Sequence, residues 1–337
     1  MLHPAALRTA GDVPVASAHP RFFEEAKGSA APSQRDEIIE GLMQAKARIS
    51  PKFFYDVLGS HLFEAITELD EYYPTRAEAA IFVNRGREIA TSVGPGAALI
   101  DLGAGNCAKS ASLFESLRPA QYIAIDISVD FVWRAVERLS ASHPGIGMTG
   151  VGMDFSTSLD LPPELQRELD GAKPLFFYPG SSIGNFTPGL ALEFLRRIQT
   201  QAVGGGLLIG VDLVKSADVL QRAYDDSLGV TAAFNRNILR NINRIVGGDF
   251  EPSGWRHVAL FNEVLSRVEM HLEARREMRV RWPGGERAFA AGERIHTESA
   301  FKYTVERFDA LLRQAGFRAV RHWRNDDTDY AVFHAVN

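Results

Sequence analysis

The chain has 337 residues and a formal net charge of −5, and 45% of its residues are hydrophobic. That acidic balance argues against a protein that grips nucleic acid by its backbone, which needs a basic excess, and the single cysteine, Cys107, excludes an intramolecular disulfide and a cysteine-based zinc cluster. No apolar run reaches the roughly 18 residues of a membrane helix, so the composition predicts a cytoplasmic enzyme of two domains, or of one large domain with an insertion.

Residues 1–35, rich in Ala, Pro, Ser and His, show no periodicity and read as a loose arm. Asp12 and the scattered prolines interrupt any secretion-signal core. From Ser33, a plausible helix cap with Glu37 in the first turn, Ile38, Ile39, Leu42 and Ile49 recur at helical spacing. Helices are predicted over Asp56 to Leu69 and Arg76 to Val93, with Pro74 breaking the chain between them. An alternating series follows: strand Ala97–Leu102, helix 107–117, strand Tyr122–Ile125, helix Ser128–Ser140, strands Gly147–Gly152 and Leu175–Tyr178, helix Pro188–Ala202, strand Leu207–Leu213. Strands alternating with helices predict an α/β fold with a parallel, doubly wound sheet.

After Lys215 the alternation stops. Helices are predicted over Ala217–Tyr224 and Val230–Val246, then extended stretches over His257–Asn262, Ser266–Arg275, Glu277–Trp282 and Arg287–Ala290. This reads as an insertion with its own antiparallel strands. Helix Val305–Ala315, ending at Gly316, and a strand pair Arg318–Trp323 and Tyr330–Val336 close the chain.

The chemistry concentrates at the strand ends. Gly103-Ala104-Gly105 follows the first strand of the series, where glycines let the backbone approach a ligand and the next helix presents free N–H groups. Asp126 ends the second strand, 21 residues after Gly105, and suits a ribose because a carboxylate accepts two hydroxyl hydrogen bonds. Asp154-Phe155 follows the third strand as a polar and aromatic pair suited to adenine. Gly103, Gly105 and Ala108 also fit the dinucleotide fingerprint, so this pattern alone admits either S-adenosylmethionine or NAD. Asp101 and the continuing series of acids at strand ends favour the former. The nine histidines include no close ligand pair, so no metal is predicted. The Arg275, Arg276, Arg279, Arg281 and Arg287 stripe is interleaved with Glu273, Glu277 and Glu286 and reads as a solvated hairpin.

Longer strings carry more. Phe54-Tyr55-Asp56, Glu71-Tyr72-Tyr73-Pro74-Thr75-Arg76, Gly180-Ser181-Ser182-Ile183-Gly184-Asn185, Asp212-Leu213-Val214-Lys215, and Ala223-Tyr224-Asp225-Asp226 with Gly229 to Asn235 closely resemble the histidine-specific Nα-methyltransferases of ergothioneine biosynthesis. The resemblance spans about residues 50 to 335. It implies a class I S-adenosylmethionine-dependent methyltransferase domain and a second, α+β substrate domain made of an N-terminal helical part and the insertion. It implies three methyl transfers to the α-amine of L-histidine, giving hercynine, with S-adenosyl-L-homocysteine as by-product. The implied division is 36–75 with 215–302 for the substrate domain and 76–214 with 303–337 for the cofactor domain. By the same resemblance, Tyr55, Gly103, Lys109, Asp126, Asp154 and Phe155 contact the cofactor. Tyr72, Gly180, Asn185 and Tyr224 hold the amino-acid backbone, and Met270 and Glu298 surround the imidazole, Glu298 accepting its N–H.

Methyl transfer is a displacement on an already activated sulfonium carbon, so positioning and desolvation dominate. Tyr55 and Asn185 are the candidates for aiming the amine, and no strong general base is required. The family stretch reads Thr-Glu-x-Ser-x-Lys, whereas this chain has Thr297-Glu298-Ser299-Ala300-Phe301-Lys302. If that stretch is extended, Ser299 points away from the side Ala300 faces. One imidazole contact is then missing, which admits another aromatic amino acid, such as tryptophan, as the substrate. A non-catalytic cofactor-binding protein on the same scaffold is the remoter expectation. The partner expected is a small molecule, with no nucleic acid and no membrane, and the chain is expected to act as a monomer.

Overall fold

The computed structural model describes residues 19–24, 33–325 and 327–337. Most of the expected arm lies outside them, but Arg21–Glu24 forms strand β1, parallel to Gly147–Gly152, with Arg21 bonded to Glu168 at 2.5 Å. Four residues of a lone edge strand carry too short a pattern to read from sequence.

Helix α1 (Gln34–Met43) starts where Ser33 accepts the N–H of Asp36, and α2 (Val57–Thr67) where Asp56 accepts that of Gly59. Ile49 falls outside the helix predicted to include it and leads into a 3-10 turn at Pro51–Phe54. Helix α3 covers Tyr73–Val93, three residues longer than predicted. Pro74 sits in its first turn, where a missing N–H costs nothing, instead of breaking the chain.

The alternating half follows as β2 (Ala97–Leu102), α4 (Ala108–Ala111), α5 (Phe114–Leu117), β3 (Gln121–Asp126), α6 (Val129–Ser142), β4 (Gly147–Gly152), α7 (Pro163–Leu169), β5 (Lys173–Tyr178), α8 (Pro188–Gln201) and β6 (Gly206–Asp212). The single helix predicted over 107–117 is two short ones, and α7 was not foreseen, being short, polar and begun at the second of two adjacent prolines. The insertion runs through α9 (Ala217–Tyr224), α10 (Val230–Val246), β7 (Trp255–Asn262), β8 (Arg267–Ala274), β9 (Met278–Trp282), β10 (Gly285–Phe289) and the unpredicted β11 (Arg294–Phe301). Helix α11 (Val305–Ala315), capped by Thr304, leads to β12 (Ala319–Asn325) and β13 (Tyr330–Val336).

Among the described residues, the large sheet has eight strands in the order β1-β4-β3-β2-β5-β6-β13-β12. It is parallel through β6, and β13 pairs antiparallel with β6. Beyond β1, this is the doubly wound sheet of a class I methyltransferase, with the order reversing between β2 and β5. Ligands bind at the carboxyl ends of strands at such a switch point. The strands are buried on both faces, as parallel strands between helix layers must be. β7, β8 and β11 form a separate antiparallel sheet.

Two cores line the faces of the large sheet. A third joins Ile38, Leu42 and Phe54 of the N-terminal part to Phe234, Ile238, Trp255, Leu272 and Ile295 of the insertion. Residues almost 200 apart in the chain therefore bury one another's apolar faces. No helix among the described residues is long and apolar enough to cross a membrane.

Candidate active site

The turn after β2 is left-handed at Gly103 (φ 73°) and Gly105 (φ 53°), and Cys107 adopts φ 62°. Asp126, at the end of β3, ties it down. Its Oδ2 accepts the N–H of Gly105 at 2.9 Å and its Oδ1 that of Ser128 at 2.8 Å. Burial raises the Asp126 carboxyl above its usual range, and these backbone donors pull it back. A carboxylate with two N–H bonds keeps lone pairs for a diol. A Cβ at Gly105 would meet nothing within 4 Å, and one at Gly103 would meet only the Phe155 ring, at 3.6 Å. The turn thus has open space beside it, bounded by Phe155 and floored by Asp126, which fits an adenosyl ligand. Asp154 is paired with Lys52 at 3.0 Å, which reaches across from the first 3-10 turn. Asp101 is turned inward, accepting Ser110 Oγ at 2.5 Å and Tyr122 OH at 2.8 Å, and burial pushes its carboxyl up to about 6. Burial also pushes the Cys107 thiol up to about 12, which leaves it unreactive near neutral pH.

Lys109 and Gly180 are brought together by a residue that sequence reasoning missed. Glu78 on α3, 1% exposed, accepts Lys109 Nζ at 2.7 Å, the N–H of Gly180 at 2.9 Å and Tyr330 OH at 2.9 Å. Room for this carboxylate comes from Gly210 on β6, where an added Cβ would lie 1.9 Å from Glu78 Oε1 and 2.5 Å from Tyr330 OH. Gly210→Ala is therefore expected to destabilise the protein by about 1–3 kcal/mol through overpacking. Urea unfolding checks this, and a change under 0.5 kcal/mol would mean the network yields without strain.

Two residues further along β6, Asp212 is 0% exposed. It accepts Tyr73 OH at 2.7 Å and Lys302 Nζ at 2.7 Å, and pairs with Lys215. Burial opposes its charge, yet Lys302 and Lys215 together hold its carboxyl below the usual range. Lys302 Nζ also reaches Tyr224 OH, at 3.1 Å.

The substrate side is built on β8 and β11. Glu298 pairs in register with Met270, and Ala300 with Val268, so all four lie on one face. A bulge between His296 and Glu298 sets this up. An uninterrupted ladder would pair Glu298 with Glu269 and turn it to the opposite face. Ser299 does point away from the side of Ala300, as expected: it bonds His296 Nε2 at 2.9 Å, beside His271 on the far face. The second 3-10 turn, Ser182–Asn185, packs against β11 with Gly184 facing the backbone of Ala300 and Phe301.

Four aromatic rings form a continuous wall: Tyr55 lies 5.8 Å from Phe63, Phe63 6.2 Å from Tyr72, and Tyr72 6.4 Å from Tyr224. Burial, and then the charge of Glu298, raises the Tyr55 phenol well above its usual range, and burial with the Tyr224 and Glu298 charges does the same for Tyr72. Glu298 itself is 8% exposed, and its carboxylate has no hydrogen-bond partner among the described residues. Burial pushes it up to about 7, against a partial lowering by Lys302. The Asn185 amide and the Tyr55 and Tyr72 hydroxyls are also without partners among the described residues. Tyr55, Tyr72 and Tyr224 thus share one aromatic wall, Met270 and Glu298 share one face of the small sheet, Asn185 ends the turn packed against β11, and Gly103, Asp126 and Phe155 meet at the turn after β2. Lys109 and Gly180 meet at Glu78. Among the described residues, no group of three or more His, Cys, Asp or Glu is placed to hold a metal ion.

A family model described as "Histidine-specific methyltransferase, SAM-dependent" matches residues 34–337. The chain is 39% identical to a histidine N-alpha-methyltransferase of Mycolicibacterium smegmatis, over 92% of this chain and 97% of that one. It is 37% identical to the histidine N-alpha-methyltransferase of Mycobacterium tuberculosis, over 88% and 93%. At 27% identity, over 93% and 95%, it is similar to an L-tryptophan methyltransferase of Psilocybe serbica.

Proposed function

The chain belongs to the family of histidine-specific, S-adenosylmethionine-dependent methyltransferases, and from that premise we propose that it methylates the α-amine of L-histidine three times, giving hercynine for ergothioneine biosynthesis. The observation that carries the choice of substrate is Glu298. A buried carboxylate without a partner, facing three tyrosines, calls for an N–H donor, and the imidazole of histidine supplies one.

In this reading Gly103, Asp126, Asp154 and Phe155 hold the adenosyl group, with Tyr55 and Lys109 at its amino-acid end. Bound S-adenosylmethionine supplies a methyl group on a positively charged sulfur. The protein's part is to orient the acceptor and exclude water. Tyr72, Gly180, Asn185 and Tyr224 fix the amino-acid backbone, and the Tyr55 hydroxyl and Asn185 amide oxygen accept amine N–H bonds and aim the lone pair. The amine must be neutral to attack, and solvent takes the proton released. The growing ammonium sits against the Tyr55, Phe63, Tyr72 and Tyr224 faces, where cation–π contact contributes about 0.5–2 kcal/mol. The division into 36–75 with 215–302 and 76–214 with 303–337 is supported by the core those first two segments share. A cytoplasmic monomer that takes no nucleic acid rests on composition alone.

A second reading follows from Ala300. With no hydroxyl on that face beside Glu298, the side-chain subsite has a single polar acceptor, which suits an indole N–H as well as an imidazole one. Incubation with S-adenosylmethionine and each amino acid, read by mass spectrometry, separates the two. We expect histidine to gain three methyl groups. A higher kcat/KM for tryptophan or tyrosine than for histidine would reassign the substrate, and no gain with any amino acid would leave a cofactor-binding scaffold.

A further inference from the structure

Lys302 lies beyond every role assigned so far, yet it is 3% exposed and touches a proposed substrate contact. We infer that Lys302 is a positioning residue that turns the Tyr224 hydroxyl toward the α-carboxylate of the substrate, and so makes the enzyme selective for amino acids over the corresponding amines. The inference rests on the proposed role of Tyr224 at the amino-acid backbone.

The argument is one of donors and acceptors. An ammonium has three donors and no acceptor. At 3.1 Å from Lys302 Nζ, the Tyr224 oxygen must therefore accept, so its own hydrogen points elsewhere. Tyr224 is held at its side chain and at its backbone. Lys302 lies 4.9 Å from the ring centroid, and the Tyr224 backbone carbonyl is taken by His257 Nε2 at 2.8 Å. The ring meets Tyr72 edge-on at 6.4 Å and feels the charge of Glu298, both assigned to the proposed substrate space. Lys302 is itself fixed by Asp212 at 2.7 Å, but that carboxylate also serves Lys215, which feels Asp329 as well. Two buried ammoniums thus share Asp212, and part of the Lys302 charge remains to polarise the phenol. A phenol that accepts from a cation is a stronger donor to an anion. An amine without a carboxylate gains nothing from it.

The test is calorimetric binding of L-histidine and of histamine to the enzyme loaded with S-adenosylhomocysteine. Lys302→Met leaves Asp212 paired one to one with Lys215, so the fold should persist, and binding of S-adenosylhomocysteine verifies it. We expect the variant to lose about tenfold or more in histidine affinity, to change less than about twofold toward histamine, and to be rescued largely by Lys302→Arg. Tyr224→Phe should show the same selective loss, with no further loss in the double variant. Equal weakening of both ligands, or unchanged histidine binding, would overturn the inference, because a purely structural lysine affects both alike. If Lys302→Met fails to bind S-adenosylhomocysteine, Tyr224→Phe decides by the same comparison. A wild-type enzyme that binds neither ligand overturns the histidine reading itself, and this inference with it.

Discussion

Asp212→Asn is expected to destabilise the protein by about 3–5 kcal/mol, a typical penalty for removing one partner of a buried ion pair. The substitution preserves shape and removes only charge. Lys302, with its side chain 1% exposed, and Lys215, at 7%, then face each other with no carboxylate between them. Tyr73 OH keeps an acceptor, so its loss is minor. Lys215 already has its ionisation opposed, first by burial and then in part by Lys302. Without Asp212 it sheds its proton more readily, so the penalty is greatest at low pH and shrinks as pH rises. At about 2.1 cal/mol/K of unfolding entropy per residue, a 337-residue chain would lose roughly 4–7 °C in midpoint. Calorimetry from pH 6 to 9 measures both features. A midpoint within 1 °C of wild type at pH 6 would mean that water or neighbouring dipoles already screen the two lysines.

What could be read from sequence was local. The turn at Gly103-Ala104-Gly105 and the acids at the ends of β3 and β4 stand out because strand, glycine turn and helix follow one another within a few residues. Helix starts at Ser33, Asp56 and Thr304 follow from a side-chain oxygen three residues before the N–H it accepts. The ion networks could not be read. Glu78 looks like any helix glutamate until β6, β13 and the loop after β5 bring Gly210, Tyr330 and Gly180 around it, from up to 252 residues away. Strand β11 was missed because His296 and Ser299 blunt its apolar alternation, and their reason for being there lies on β8. The bulge that turns Glu298 inward is likewise a property of pairing, not of either strand alone. Tyr72, Asn185 and Tyr224 were expected only from the long strings, because a family likeness encodes tertiary contacts that periodicity does not.

Glu298→Leu should lower activity and raise stability together. On the proposed reading, the carboxylate accepts the imidazole N–H. Losing a hydrogen bond to a charged group removes about 1.5–3 kcal/mol, which lowers kcat/KM for histidine about 10- to 100-fold. The same carboxylate burdens the ligand-free fold. Burial has raised it from the usual 4.5 to about 7. Below pH 4.5 it is protonated in both folded and unfolded chains and costs nothing. Between pH 4.5 and 7 the unfolded chain releases the proton and the folded one retains it, so stability falls with rising pH. Above pH 7 the full difference, about 3 kcal/mol at 1.36 kcal/mol per unit, is lost. Leucine has no such titration. The variant should therefore gain most over wild type near pH 8 and least near pH 5, where only its altered packing remains. Ligand-free unfolding at the two pH values tests that half, and histidine kinetics at pH 8 tests the other. A variant that kept wild-type kcat/KM would remove Glu298 from the substrate site. One that lost activity but gained no pH-dependent stability would show that the carboxylate is already solvated or paired before histidine arrives. Both effects have one cause. A carboxylate held ready for a ligand N–H has no protein partner until the ligand binds, so the site gives up stability for recognition.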